Sequence, residues 1–136
     1  MNKVLDDVGA IIIENGKLFA AKRGASKYAY VAHKYEFAGG KVEDGERRED
    51  ALVRELREEL DMPVEVLGHY MSLRHDYPDF GIELHTYRCR RLGGYRLLEH
   101  ESAEWMDIDE LNPANWAPAD SPVIEQLRRD RKGGKL

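Results

Sequence analysis

Residues 39–62, GGKVEDGERREDALVRELREELDM, constrain this chain more than any other stretch. From Arg47 to Met62 the run holds neither Pro nor Gly, and Pro63 closes it. Ala, Leu, Glu and Arg dominate, all good helix formers, so the composition predicts a helix. At about 100° per residue, Glu55, Glu58 and Glu59 fall within a ~100° arc of one face. Leu52, Val53, Leu56 and Leu60 fill the next arc, and Arg47, Asp50, Arg54 and Arg57 much of the remainder. The helix therefore carries an apolar stripe for a core beside a stripe of carboxylates, and Ala51 leaves room for a ligand to approach the acidic face.

Carboxylates on one face repel. Two unit charges ~4 Å apart at an effective dielectric of about 20 cost roughly 4 kcal/mol, and a cation turns that cost into binding. The donors are hard oxygens, and none of the five His is paired at zinc-ligand spacing, so the expected ion is Mg²⁺, with Mn²⁺ as a substitute. The competing reading is a solvated helix laced by i, i+4 pairs such as Arg54 with Glu58. The glycine-rich entry at Gly39-Gly40 and the register of the acids weigh against it.

These residues resemble the Nudix box, G-x5-E-x7-R-E-U-x-E-E-x-G-U with U apolar. Gly40, Glu46, Arg54, Glu55, Leu56, Glu58, Glu59 and Met62 match, and Asp61 stands where the family has Gly. That position ends the helix in a left-handed conformation, which Asp tolerates better than most side chains, so the departure concerns the helix end and leaves the chemistry alone. The resemblance covers nearly the whole chain. It implies the Nudix fold, an α/β (α+β) arrangement with a mixed β-sheet sandwiched between the box helix and a C-terminal helix. Residues 1–136 are then a single domain, with 131–136 a frayed tail.

The family chemistry is hydrolysis of a nucleoside diphosphate linked to another moiety. Carried over residue by residue, the resemblance implies metal ligands at Glu55, Glu58, Glu59 and the Gly39 carbonyl. A further acid, Glu99, matches six residues ahead of Trp105, with Glu101 as a rival in the same loop. Glu55 or Glu99 would take the proton of the attacking water. Arg23 and Lys41 would meet substrate phosphate, and Arg54 would help spread the developing charge. Glu46 lies outside the arc of the other acids, so an ion pair with Arg54 is favoured over a place among the ligands.

Composition narrows the partners. A net charge of −5 argues against a binder of nucleic-acid polymers, which usually carries a basic face. It does not bar a polyphosphate, provided a metal and local Arg or Lys supply positive field. A lone cysteine, Cys89, reads as an inert packed thiol. No apolar run long enough to span a bilayer and no signal peptide is apparent, so a cytoplasmic address without membrane partners is the expectation. Nothing in the sequence specifies an oligomeric state.

Along the chain, Val8–Ile13 and Leu18–Lys22 read as a hairpin turned by Asn15-Gly16. Asp6-Asp7 ahead of it carries no message. Residues 24–34 form a loop whose Tyr28, Tyr30 and His33 either line a nucleotide pocket or, as favoured, pack the loop on the sheet. A short strand over 35–38 delivers the glycine pair, with Asp44 or Gly45 just before the helix and Glu46 near its first turn. Long antiparallel strands are expected at 64–73 and 82–91, another strand at 104–108, a helical turn at 109–112, and a last helix capped by Ser121 with Pro122 at its first position.

Within the family, YEFAGGKVE and WAPADSPVIEQL are most similar to the MutT-type 8-oxo-dGTP diphosphatases and CTP pyrophosphohydrolases. The implied activity is Mg²⁺-dependent cleavage of (deoxy)nucleoside triphosphates, oxidised or pyrimidine ones included, to monophosphate and pyrophosphate. MutT-type enzymes read the base with an Asn where this chain has Asp120. An ionised Asp only accepts hydrogen bonds, which suits cytosine N4 or the N1–H and N2 edge of guanine. The competing role for Asp120 is a cap on the last helix. Two rival functions remain, hydrolysis of ADP-ribose or a dinucleoside polyphosphate, and a nucleotide-sensing module that does not cleave. The full set of acids argues against the sensor.

Overall fold

Asn15 and Gly16 turn the chain with φ of 54° and 76°, folding β1 (Val4–Glu14) back onto β2 (Lys17–Lys22) in the computed structural model, which describes residues 3–136. β1 then organises a seven-stranded mixed sheet with β3 (Tyr35–Glu36), β4 (Gly39–Lys41), β5 (Val64–Asp76), β6 (Gly81–Arg91) and β7 (Ser102–Asp107). It pairs antiparallel with β2 and β4 and parallel with β6, in register from Val4 opposite Gly81 to Ile12 opposite Cys89. β5 runs antiparallel to β6, and β2 carries β3 and β7.

Both faces of β1 are buried, and its alternation assigns each. Val8, Ala10 and Ile12 pack under α1 (Arg48–Leu60) with Leu52, Leu56 and Leu60, while Ile11 packs with Val123, Ile124 and Leu127 of α2 (Ser121–Lys132). The sheet lies between the box helix and the C-terminal helix, as expected. Each fully buried leucine of α1 contributes ~2 kcal/mol through the apolar surface it removes from water.

Several boundaries differ from the sequence reading. The strand expected at 35–38 is split. Tyr35 and Glu36 pair with β2, the chain then changes partner, and the glycines themselves form β4 on β1. The box helix starts later than expected, at Arg48 with Arg47 in the N-cap position. Glu46 lies before it because residues 43 and 46 close a turn on each other, each backbone N–H finding an acceptor on the other residue. Asp61 does end α1 in the left-handed region, at φ 48° and ψ 37°. β5 and β6 run longer than expected, to Asp76 and from Gly81. β7 begins at Ser102, and two 3₁₀ turns, Ile108–Glu110 and Pro113–Asn115, replace the single one expected.

Asp120, and not Ser121, takes the N-cap position of α2, yet its side chain makes no capping bond. The Ser121 hydroxyl donates instead to Pro113 O at 2.8 Å. At the far end α2 continues to Lys132, Lys135 N–H donates to Asp130 O, and Leu136 packs on the α2-side core, so residues 131–136 have partners. Among the described residues, no helix is long and apolar enough to cross a membrane.

Candidate active site

The acidic face of α1 lies against the β4 turn. A Cβ on Gly40 would stand 2.6 Å from the Glu55 carboxylate, so only glycine lets that carboxylate tuck against the backbone. Gly39 is tighter still, since a Cβ there would lie 1.9 Å from Val8 O on the paired strand. Its N–H donates to Glu59 Oε1 at 3.3 Å, tying the glycine turn to the helix.

Arg54 organises the other acids. Nε and Nη2 each donate to Glu46 at 2.9 Å, Nη1 to Glu55 at 2.9 Å and Glu58 at 3.2 Å, and Nη2 again to Lys41 O at 3.0 Å. These contacts engage the whole donor fork of the guanidinium. The expected Glu46–Arg54 ion pair is present, and the forked contact holds Glu46 down at about 2. Arg54 thus ties Glu46, Glu55 and Glu58 together and holds their side chains in place.

Burial acts the other way on the acids nearer the sheet. Desolvation pushes Glu59 up to about 9, with Glu36 and Glu55 adding repulsion. It also raises Glu55, against the pull of Arg54. The expected ligands are not gathered as a finished cage. Among the described residues, no three His, Cys, Asp or Glu groups converge at metal-binding distance. Arg54 draws Glu55 and Glu58 toward itself, and the Gly39 N–H holds Glu59. The residues still fit a hard divalent cation, because Glu55, Glu58 and Glu59 supply oxygen donors, and the buried Glu59 carboxylate lacks a full counter-charge.

The Glu99 loop adds an exposed acid whose negative charge is felt at Glu59. Its rival Glu101 is engaged elsewhere, with Lys22 at 3.6 Å and His33 at 3.2 Å. Arg23, Lys41, Gly39, Gly40, Glu59 and Asp120 all line one cleft of about 560 Å³. Tyr28, Phe37, Tyr77 and Phe80 form part of its wall. Tyr30 stacks on Tyr28 and Tyr77, and its hydroxyl donates to Asp79 at 2.7 Å, so the 24–34 loop both packs on the β5–β6 hairpin and borders the cleft.

Asp120 is 7% exposed and turned into the cleft, where burial raises it and the Phe37 N–H supports it. Two further acids in the cleft escape the sequence reading. Glu36 is bound to Arg23 at 3.3 Å and to His100 at 3.0 Å. Asp7 is raised to about 6, first by burial and then by Glu55, and its Oδ1 is buried without a hydrogen-bond partner. One signal was available: Asp7 shares the strand face of Ile11, where an acid is out of place among apolar residues. Asp6, on the opposite face, is bound by Arg48.

In the folded chain Glu59 holds a proton well above the 4.5 of an ordinary Glu, so the folded state binds more protons than the unfolded one up to about pH 9. Stability therefore falls as pH rises through that window. Between pH 6.5 and 9, above the range in which His85, itself lowered by burial, gains charge, the melting temperature in EDTA should drop by ~5–10 °C. Mg²⁺ should raise it more at pH 8.5 than at pH 6.5. A melting temperature independent of pH and Mg²⁺ would mean that Glu59 is solvated.

The NUDIX domain profile matches residues 4–127. The chain is 38% identical over 130 residues to the 8-oxo-dGTP diphosphatase of Escherichia coli K12, covering 95% of this chain and 99% of that one. It is 37% identical over 124 residues to the CTP pyrophosphohydrolase of the same strain, covering 90% of each. The solution structure of the E. coli ORF135 protein superposes with a TM-score of 0.81 at 33% identity, covering 97% of this chain and 94% of that one.

Proposed function

The chain belongs to the Nudix family, and from that premise we propose that it is a divalent-metal-dependent pyrophosphohydrolase of nucleoside triphosphates, oxidised or pyrimidine ones among them. The observation that carries this reading is a single cleft lined by the glycine turn, Glu59, the cations Lys3, Arg23 and Lys41, and the buried acid Asp120. Glu55, Glu58, Glu59 and the Gly39 carbonyl would hold Mg²⁺, which when bound neutralises phosphate oxygens and lowers the pKa of water. Arg23 and Lys41 bind the phosphates at the cleft, and Arg54 keeps Glu55 and Glu58 in place. Glu55, partly buried and raised, is better suited to accept the water's proton than exposed Glu99. The base enters against the aromatic wall, where Asp120, which burial pushes toward its protonated form, offers the base edge an acceptor oxygen and an O–H donor.

A panel of nucleotides with Mg²⁺, reading pyrophosphate against orthophosphate, tests the reading. The expected result is pyrophosphate plus monophosphate from a triphosphate. Cleavage of ADP-ribose or dinucleoside polyphosphates alone, or binding without cleavage, would replace it. Asp120→Ala, which removes both hydrogen-bonding groups, should reorder the base ranking by tenfold or more and leave kcat for the best substrate within about threefold. An unchanged ranking would remove Asp120 as the reader of the base.

A further inference from the structure

The loop after β6 is fastened along the end of α1. Arg96 N–H donates to Leu60 O at 2.7 Å, Leu98 N–H to Glu59 O at 3.1 Å, and the Arg96 side chain reaches Asp61 at 2.9 Å. This attachment delivers His100 beneath the cleft, its side chain only 4% exposed. Nε2 lies 3.0 Å from Glu36 Oε2 and 3.9 Å from Glu59 Oε1, and Nδ1 is buried without a partner. Carboxylate oxygens face Nε2, so Nε2 carries the proton and donates it. Glu36 Oε1 meets Arg23 at 3.3 Å, and Glu59 Oε1 meets the Gly39 N–H at 3.3 Å. The hydrogen bonds run Arg23–Glu36–His100, while Glu59, 3.9 Å from Nε2 and outside hydrogen-bond reach, is held by the Gly39 N–H.

We propose that His100 is a positioning residue, whose Nε2–H holds Glu36 in one orientation beside Arg23 while its buried ring stands between Glu36 and the metal-holding Glu59. Glu36 and Glu59 are two carboxylates that repel. A buried donor beside them offsets that repulsion and leaves Glu36 with one defined orientation, so that it cannot crowd Glu59. Burial of a polar ring with one nitrogen unpartnered is costly, and packing alone would be served better by an apolar side chain. The inference rests on the reading of Glu59 as a metal ligand. It adds a residue that touches neither metal nor substrate.

The test uses the full chain with His100→Gln, which can place an amide N–H where Nε2 stands, and His100→Phe, which fills the space without a donor. Binding of Mn²⁺ alone, followed by electron paramagnetic resonance, and hydrolysis of the best triphosphate from the panel are both measured. His100→Gln should stay close to wild type in both. His100→Phe should lose ~10–100-fold in Mn²⁺ affinity and in kcat while melting no lower than wild type. Should His100→Phe not fold, His100→Met takes its place as the variant without a donor. Equal loss in the Gln variant and the donor-free variant, or wild-type Mn²⁺ affinity in the latter, would overturn the proposal. A wild-type chain that binds Mn²⁺ but cleaves no triphosphate would sink the proposed function, and the Mn²⁺ comparison would still decide the role of His100.

Discussion

Glu58→Gln should lower kcat for triphosphate hydrolysis by about a thousandfold and leave the fold untouched. The Glu58 side chain is 56% exposed, and its contact here is a 3.2 Å bond from Arg54, so an isosteric amide removes little that holds the chain together. Exposed ion pairs of this kind contribute ~0–1 kcal/mol. The chemical loss is another matter. An amide keeps the shape but not the charge needed to balance a divalent cation, and a thousandfold corresponds to ~4 kcal/mol of transition-state stabilisation. Circular dichroism melts should superimpose within about 3 °C, against a collapse in pyrophosphate release. Retained turnover would exclude Glu58 from the metal site.

Gly39→Ala should do the reverse and strike the fold first. The added methyl would stand 1.9 Å from Val8 O, a backbone atom of the paired strand that cannot swing aside, and φ of 157° adds strain for any side chain. Overpacking and backbone strain together cost ~3 kcal/mol or more, lowering the melting temperature by ~10 °C or more. Gly40→Ala makes an instructive partner. There the collision is with the Glu55 carboxylate, the end of a flexible side chain, so the protein should fold nearly as well while Glu55 is displaced and activity falls. Thermal melts and turnover of the two variants should rank in opposite order. Equal stability of Gly39→Ala and wild type would show that β4 does not pair with β1 as described.

The placement of the glycine turn against the acidic helix face was legible because it is local. Gly39 to Glu59 is one continuous run, and helical periodicity alone places its acids on one face. The Glu46–Arg54 pair followed from Glu46 lying outside that arc, and the left-handed Asp61 from its place at the helix end. What the sequence withheld depends on long-range pairing. The strand face of Asp7 could be read locally, but its burial comes from β6, whose parallel register against β1 joins residues more than seventy positions apart. Glu36 and His100 meet because the loop after β6 is laid along α1, again a contact between distant segments. The helix start and the divided strand at 35–41 were misplaced for a smaller reason. A reciprocal turn at Glu43 and Glu46 and a change of strand partner at Phe37 both override propensity.

The two jobs of the cleft are supplied by separate parts of the chain. In the proposed function Glu55, Glu58, Glu59 and the glycine turn come from a single short segment, while the wall proposed to meet the base is assembled from β1, the 24–34 loop, the β5–β6 hairpin and the entrance to α2. On that proposal, substitutions in the wall should shift base preference with the hydrolytic segment unaltered. Such a division lets a lineage wander among substrates while keeping one reaction, and it makes this scaffold a practical starting point for redirecting selectivity by design.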